Sequence, residues 1–348
     1  MLGRKIKAVA LISGGLDSLL ATRLILDQGI HVEGINFYTG FCVEGHTHAI
    51  RKQFQDKPKR NNALWAAEKL GIELHFLDVV EEYKSVLLNP KYGYGANLNP
   101  CLDCKIFMVQ KAKIWMEENN FDFVITGEVM GQRPMSQKRK KMAVVSEESE
   151  IFDLLVRPLS AKHLPETKPE REGWIDREKL LNFHGRNRKP QIELAKKYGF
   201  VDYAQPAGGC CFLTNEHYSK KLADLWGHRG EKNYELDDIL LLKIGRHLRP
   251  KPEFKLIIGR EEGENNFLSG YKKRSSYFEI LSHEGPLVLV DGKIAKEDRV
   301  LAARIVARYS QGREAPKVDL IYKDNHGISY SLSVPPFKPE EIQESWYV

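Results

Sequence analysis

The stretch AVALISGGLDSLLATRLIL, residues 8–26, constrains the fold more than any other part of the chain. An apolar run of the kind that forms a buried parallel strand, IKAVALI at 6–12, stops at Ser13, Gly14 and Gly15. A helical pattern then starts almost at once. Leu16, Leu19, Leu20, Leu24 and Ile25 fall near one face, with a helix expected over 17–28 and Gly29 a natural stop. In open α/β sheets such a turn sits at the carboxyl end of a strand, where ligands bind. Two glycines let the backbone turn its N–H groups outward, and a helix N-terminus adds positive partial charge. The turn at 13–18 therefore suits a phosphate, although a tight turn alone would also use glycines. It lacks the Lys of a Walker A loop and the G-x-G-x-x-G spacing of a dinucleotide turn.

The same strand-then-helix texture continues. Strands are expected at 31–37, 72–79 and 121–128, and helices at 59–70 and 104–119. This alternation predicts an α/β fold, a doubly wound and mostly parallel sheet, over residues 1–160. Residues 161–232 are expected to be a helical and loop extension, with a surface loop at 161–175, helical pieces over 176–199 and a polar helix near 215–226. Residues 233–348 read as a smaller α+β domain with strands in DILLLKIGRHLRP, EFKLIIGRE and GPLVLVDG, and a helix at 296–309. A chain of 348 residues, 42% hydrophobic, is long enough for two or three such domains. No apolar run approaches the length that spans a bilayer, and the first residues lead into a strand, so a cytoplasmic chain is expected, with no membrane partner.

The pattern of strand, SGG-x-DS and helix resembles the signature of the PP-loop ATP pyrophosphatases. Members of that family split ATP between its α and β phosphates and adenylate a substrate oxygen. The resemblance implies that Ser13, Gly14, Gly15, Asp17 and Ser18 hold pyrophosphate, that Asp17 helps place Mg2+, and that Asn36 and Phe37 lie near adenine. Gly127, in ITGE, matches a second nucleotide-side turn, or is a plain strand-end glycine. Arg157, in LVRPLSAK, sits in an RPL segment that recurs in the family and implies contact with nucleotide or substrate.

Five cysteines in a chain of this type argue against a disulfide framework. Cys101 and Cys104, in NPCLDCK, are spaced so that one turn presents two thiolates to one metal or cluster. Cys210 and Cys211 follow in PAGGCCFLT. Three thiolates can hold three irons of a 4Fe-4S cluster and leave the fourth open to sulfide. NPC at 99–101 and GCCF at 209–212 resemble segments of the PP-loop enzymes that thiolate tRNA, which favours Cys211 over Cys210 as third ligand. Zinc on the thiolates, or a persulfide on Cys211 without metal, are the alternatives. Cys42, near His46 and His48, is either a metal site or a loop cysteine beside solvated histidines.

A formal charge of +6 is too small to imply nucleic acid by itself, so local clusters carry that argument. Arg133, Lys138, Arg139 and Lys140 in one cluster, and Arg186, Arg188 and Lys189 in another, are candidates for RNA phosphates, or else solvated loops. In the tail, KIGRHLRPKPEFKLIIGREEGENN resembles the RNA-binding module of the NFACT proteins, which implies phosphate contacts from Arg246, His247, Arg249 and Lys251. A dimerisation or lid domain is the plainer reading of that tail. Together the resemblances imply an ATP-dependent tRNA thiouridine synthetase. Its cofactors would be ATP, Mg2+ and a 4Fe-4S cluster, and its partners tRNA and a sulfur donor, either inorganic sulfide or a persulfide carrier; a homodimer is admitted. The rival readings are a PP-loop enzyme that sulfurates or amidates a small molecule, and a non-catalytic RNA-binding factor of translation quality control.

Overall fold

The computed structural model describes residues 5–43, 60–203 and 210–348. Their elements run in chain order as β1 (Lys7–Leu11), α1 (Leu16–Leu26), β2 (His31–Tyr38), α2 (Asn62–Leu70), β3 (Leu74–Asp78), α3 (Val80–Leu88), α4 (Cys101–Glu118), β4 (Phe123–Ile125), α5 (Arg139–Glu148), β5 (Leu155–Val156), α6 (Lys168–Arg171) and α7 (Lys189–Lys197). All five strands are parallel, in the order β3-β2-β1-β4-β5. The chain winds one way from β1 to β3 and the other way from β4 to β5. The reversal falls between β1 and β4, the place where α/β sheets open a crevice for ligands.

Successive residues of β1 serve opposite faces, as the strand period requires. Ala8 and Ala10 enter a core with Leu16, Leu19 and Leu20 of α1, and Val9 enters another with Leu102, Val109 and Ala112 of α4. A strand buried on both sides is apolar where it is buried, which is why Ala8, Val9 and Ala10 read as one run with Leu11. The doubly wound parallel sheet expected from the sequence is present.

The stretch 161–232 is divided between two compact units, with the break between Cys210 and Cys211. Ile175, Leu180, Ala195 and Phe200 belong to the same core as α1. The expected surface loop at 161–175 thus carries buried residues. A capping box in which Glu170 answers the Thr167 backbone N–H at 2.7 Å starts α6 within it.

The second unit has α8 (Glu216–Arg229), α9 (Leu236–Leu241), β6 (Arg246–Lys251), β7 (Phe254–Ile258), α10 (Glu262–Ser269), β8 (Ser276–Ile280), β9 (Val288–Gly292), α11 (Arg299–Arg308), β10 (Val318–Lys323) and β11 (Ser329–Val334). Its strands form one antiparallel sheet, ordered β11-β10-β8-β9-β7-β6. Ala302, Ala303, Ile305 and Val306 of α11 pack with Leu256, Phe278 and Leu320 of the sheet. Ile257 and Leu289 join Leu268 of α10 in a separate core. The α+β domain is as expected, with one local correction. DILLL was read as strand, but residues 236–241 are helical, started by Glu235 and Asp238 as a capping box. An apolar run that short does not separate helix from strand by periodicity.

Candidate active site

The turn after β1 takes the form that its glycines permit. Gly14 has φ +75°. A Cβ there would lie 2.6 Å from the Asn62 carbonyl carbon and 2.7 Å from the Ala63 nitrogen, so the loop packs directly on the start of α2. Gly15 is the N-cap of α1 and no side chain caps that end. Ser18 turns its hydroxyl back to the Gly15 carbonyl at 2.8 Å, and Ser13 Oγ stands 3.4 Å from Ser18 Oγ. The first N–H groups of α1 are thus left to an anion, with two hydroxyls beside them.

Gly127, at the end of β4, closes the site from the other side of the switch point. A Cβ on Gly127 would lie 2.5 Å from the Asp17 carbonyl carbon and 2.5 Å from the Ser18 nitrogen. This glycine is required by the approach of two backbones.

Asp17 is held by two groups from distant segments. Gln132 Nε2 donates to Oδ2 at 2.7 Å, and an Arg188 nitrogen reaches Oδ1 at 3.3 Å. Gln191 donates in turn to Gln132 Oε1 at 3.0 Å. Neither Gln132 nor Gln191 was singled out in the sequence, where a polar residue in a loop carries no signal of what it faces. Arg188 was assigned to RNA, yet it stands on the carboxylate of the phosphate loop. Its Nε is buried and has no partner among the described residues.

Asn36 donates to the Ile12 carbonyl at 2.7 Å, which fixes the end of β2 beside the loop, whereas Phe37 is buried in the core that α4 covers. Arg157 is 7% exposed and gives its nitrogens to Glu128 at 3.1 Å, Ser146 at 3.1 Å and the Met142 carbonyl at 2.9 Å. Its guanidinium is committed inside the protein, which corrects the expectation of a ligand contact. Glu128 is 1% exposed and bonded also by Thr126 at 2.8 Å. Burial works to raise its carboxyl pKa, but the charges of Lys105 and Arg157 and the bonds from Thr126 and Arg157 hold it below the ordinary value.

Cys101 and Cys104 occupy the first turn of α4, three residues apart and so on one face. That helix end has no side-chain cap, and its positive end favours negative sulfur. Burial nevertheless raises the Cys101 thiol pKa, as does the charge of Cys210, while a 2.8 Å bond to Asn99 and the charges of Arg133 and Lys141 oppose it. Burial, with Cys210 next, pushes Cys104 up to about 12. Cys210 thus acts on both thiols, whereas Cys211 lies in the second unit, where its charge bears on Tyr218. Arg133, which bears on Cys101, follows Gln132, and Lys105 bears on both Cys104 and Glu128. Thr39 and Cys42 are 3.6 Å apart, while His46 and His48 lie outside the described residues.

The basic residues divide by environment. Arg133, Lys138, Arg139, Lys140, Arg186 and Lys189 are exposed. Lys138 is the N-cap of α5 and Arg139, Lys140 and Lys141 form its first turn, so this cluster sits on a helix and not on the solvated loop that was its plainer alternative. In the second unit Arg246 is exposed over Tyr309. Arg249 is paired to Asp224 at 2.6 and 2.8 Å, His247 is buried, and Lys251 meets Asp298 at 2.5 Å. The buried His247 and the paired Arg249 are thus parts of the fold, against the expectation of phosphate contacts.

Residues 3–163 match the family described as Thiamine biosynthesis protein (ThiI), and residues 245–347 match the NFACT protein RNA binding domain. Among curated proteins, a tRNA-specific 2-thiouridylase MnmA of Treponema denticola is 28% identical over 366 residues, covering 96% of this chain and 91% of its own. Another, of Karelsulcia muelleri, is 24% identical over 302 residues, covering 82% and 72%. A probable tRNA sulfurtransferase of Thermococcus kodakarensis is 27% identical over 150 residues, covering 43% of this chain and 36% of its own. Among solved structures, a 4-thiouridine synthetase–RNA complex with bound ATP aligns at a TM-score of 0.38 with 20% identity, over 57% of this chain and 42% of that one. Among the described residues no helix is long and apolar enough to cross a membrane. Both resemblances read from the sequence are therefore met, the first to the PP-loop enzymes of the tRNA thiouridine synthetase branch, over residues 3–163, and the second to the NFACT RNA-binding module, over residues 245–347.

Proposed function

We propose that this protein is an ATP-dependent tRNA sulfurtransferase that adenylates a uridine carbonyl oxygen and replaces it with sulfur. The observation that carries the reading is the uncapped start of α1 with Asp17 beside it, in a unit whose α4 presents two thiols in its first turn. The α1 N–H groups, Ser13 and Ser18 receive the phosphates that leave as pyrophosphate. Asp17 would hold Mg2+, a hard cation suited to carboxylate and phosphate oxygens. Arg188, beside Asp17 at 3.3 Å and with a buried Nε that has no partner among the described residues, would be available to the phosphates. The uridine oxygen attacks the α phosphate and pyrophosphate departs. Sulfur then bonds to the activated carbon and AMP leaves with the original oxygen. The protein supplies orientation and charge stabilisation for both displacements.

The thiols fit a thiolate-bound cofactor. Two lie on one helix face at a positive helix end, and a third acts on both electrostatically. Burial disfavours free thiolates there, so a bound cation is what would make them ligands. Cys101, Cys104 and Cys210 would hold a 4Fe-4S cluster, with Cys211 as the alternative third ligand. When bound, such a cluster supplies an open iron for sulfide. Exposed Arg133, Lys138, Arg139, Lys140, Arg186 and Lys189 would carry tRNA phosphates.

The name of the matched family also keeps sulfur delivery to a small molecule in view. Pyrophosphate release with and without tRNA separates the two. Release that depends on tRNA, with thiouridine found by mass spectrometry of the product nucleosides, supports the reading. Release indifferent to tRNA overturns it. Cys104→Ser should keep pyrophosphate release and lose thiouridine, and Cys210→Ser compared with Cys211→Ser assigns the third thiol.

A further inference from the structure

Away from the phosphate loop, two histidines and two glutamates converge on one face of the sheet. His31 opens β2 and Glu33 follows on the same face, because strand side chains alternate. Gly34 pairs with Leu74, so Glu33 lies beside Glu73, and His75 is the next residue of β3 on that face. His31 Nε2 stands 3.0 Å from Glu33 Oε1, and His75 Nε2 stands 2.7 Å from Glu33 Oε2. Glu73 Oε1 is 4.0 Å from the same His75 nitrogen. Donor atoms of Glu33, Glu73 and His75 all fall within 4.8 Å of one another.

We propose that His31, Glu33, Glu73 and His75 form a further metal site, for a borderline divalent cation of the zinc class, that clamps the edge strand β3 to β2. Imidazole nitrogens and carboxylate oxygens are the donor set that zinc takes at about 2.0–2.2 Å, which spaces neighbouring donors by about 3.3 Å in a tetrahedron. Three of the residues, Glu33, Glu73 and His75, already bring donor atoms within 4.8 Å of one another, and His31 Nε2 stands 3.0 Å from Glu33. The rings are oriented from behind. Trp115 lies 4.8 Å from the His75 ring, Phe121 lies 6.1 Å from the His31 ring, and the two aromatics are 5.1 Å apart. Both imidazoles therefore aim Nε2 at one carboxylate from fixed positions, which lowers the ordering cost of binding. Side-chain exposures of 40% for His31, 28% for His75 and 18% for Glu33 leave a route for the ion. Glu33 is five residues before the end of β2, about 16 Å along the strand from the end that faces the phosphate loop. The site is thus distinct from the Mg2+ position at Asp17.

The test uses Co2+ as the probe on the full chain carrying Cys101→Ser and Cys104→Ser, stripped with a chelator. One Co2+ per chain is expected, with d–d absorption and no thiolate charge-transfer band. His75→Gln and His31→Gln, added singly, should each weaken binding at least 10-fold. Co2+ should also raise the melting temperature of the parent more than that of either variant. Glutamine keeps a neutral hydrogen-bond partner for Glu33, and the more exposed His31 variant carries the test if His75→Gln does not fold. A parent that binds no Co2+, or histidine variants that bind it as tightly as the parent, overturns the proposal.

Discussion

Gln132 donates its side-chain amide to Asp17 at 2.7 Å across 115 positions of sequence, and its own carbonyl is held by Gln191 at 3.0 Å. The loop after β4 thereby sets the rotamer of the carboxylate in the phosphate loop. Gln132→Leu removes that donor and leaves Asp17 with Arg188 alone. Mutation of partners that orient a metal-binding carboxylate costs about 10–100-fold. The expected result is a loss of that size in pyrophosphate release, with a higher Mg2+ requirement and unchanged tRNA affinity. Asp17→Asn should abolish release. Mg2+ titrations of all three proteins check this.

Lys138, Arg139, Lys140 and Lys141 crowd the N-terminus of α5, while Glu147 and Glu148 end it. This is the reverse of what the helix dipole favours. The arrangement costs stability and concentrates positive potential at one helix end, as a polyanion site requires. Replacing Lys138, Arg139 and Lys140 with Gln should therefore stabilise the protein, by roughly 0.3–1 kcal/mol per charge, while weakening tRNA binding. The slope of log affinity against log salt should become shallower by about 2–3 if the three contact phosphates. Thermal melts and filter binding at several salt concentrations read both signs. A variant that loses stability and keeps its salt slope would show that the cluster has no RNA role.

What was legible in the sequence was local. SGGLDS marked the loop because strand, glycines and helix are contiguous, and KAVAL marked the central strand because both its faces are buried. The thiol pair was legible for the same reason, since Cys101 and Cys104 are one turn apart. What brings residues together from afar left no such mark. Arg188 looked like part of a basic surface knot until the fold set it against Asp17 across 171 positions, and Gln132 looked like an ordinary loop residue. Arg157 and Arg249 were misread for a related reason. A guanidinium placed for a ligand and one placed for a buried carboxylate have the same sequence, and only the neighbouring Glu128 and Asp224 distinguish them.

Gly127 offers a test of how tightly the loop is specified. A methyl group there would meet the backbone of Asp17 and Ser18 at 2.5 Å, and backbone cannot move aside as a side-chain tip can. Overpacking of this kind typically costs about 1–3 kcal/mol. Gly127→Ala should lower the melting temperature of the first unit and displace the phosphate loop. ATP binding should fall more than the stability loss explains, because the α1 N–H groups no longer converge. Calorimetric ATP titration alongside a melt checks it. An alanine variant with native ATP affinity would mean that the loop and β4 separate readily.

The buried pair of Glu128 and Arg157 gives the first unit a pH dependence of known sign. Burial tends to raise the Glu128 carboxyl, but Lys105, Arg157 and Thr126 together bring it below 4.5. A group whose pKa is lower in the folded chain binds fewer protons there than in the unfolded chain. Its contribution is therefore complete above the unfolded value and fades as pH falls through the lowered folded one. Glu128→Gln removes that contribution at every pH. At neutral pH it leaves Arg157 without its anion, although Ser146 and the Met142 carbonyl remain, and breaking a buried pair costs about 3–5 kcal/mol. Urea unfolding of wild type and variant, followed from neutral pH down through the carboxylate range, should show curves that differ most at neutral pH and converge in acid. A gap that stays constant with pH would mean that Glu128 titrates alike in the folded and unfolded chains.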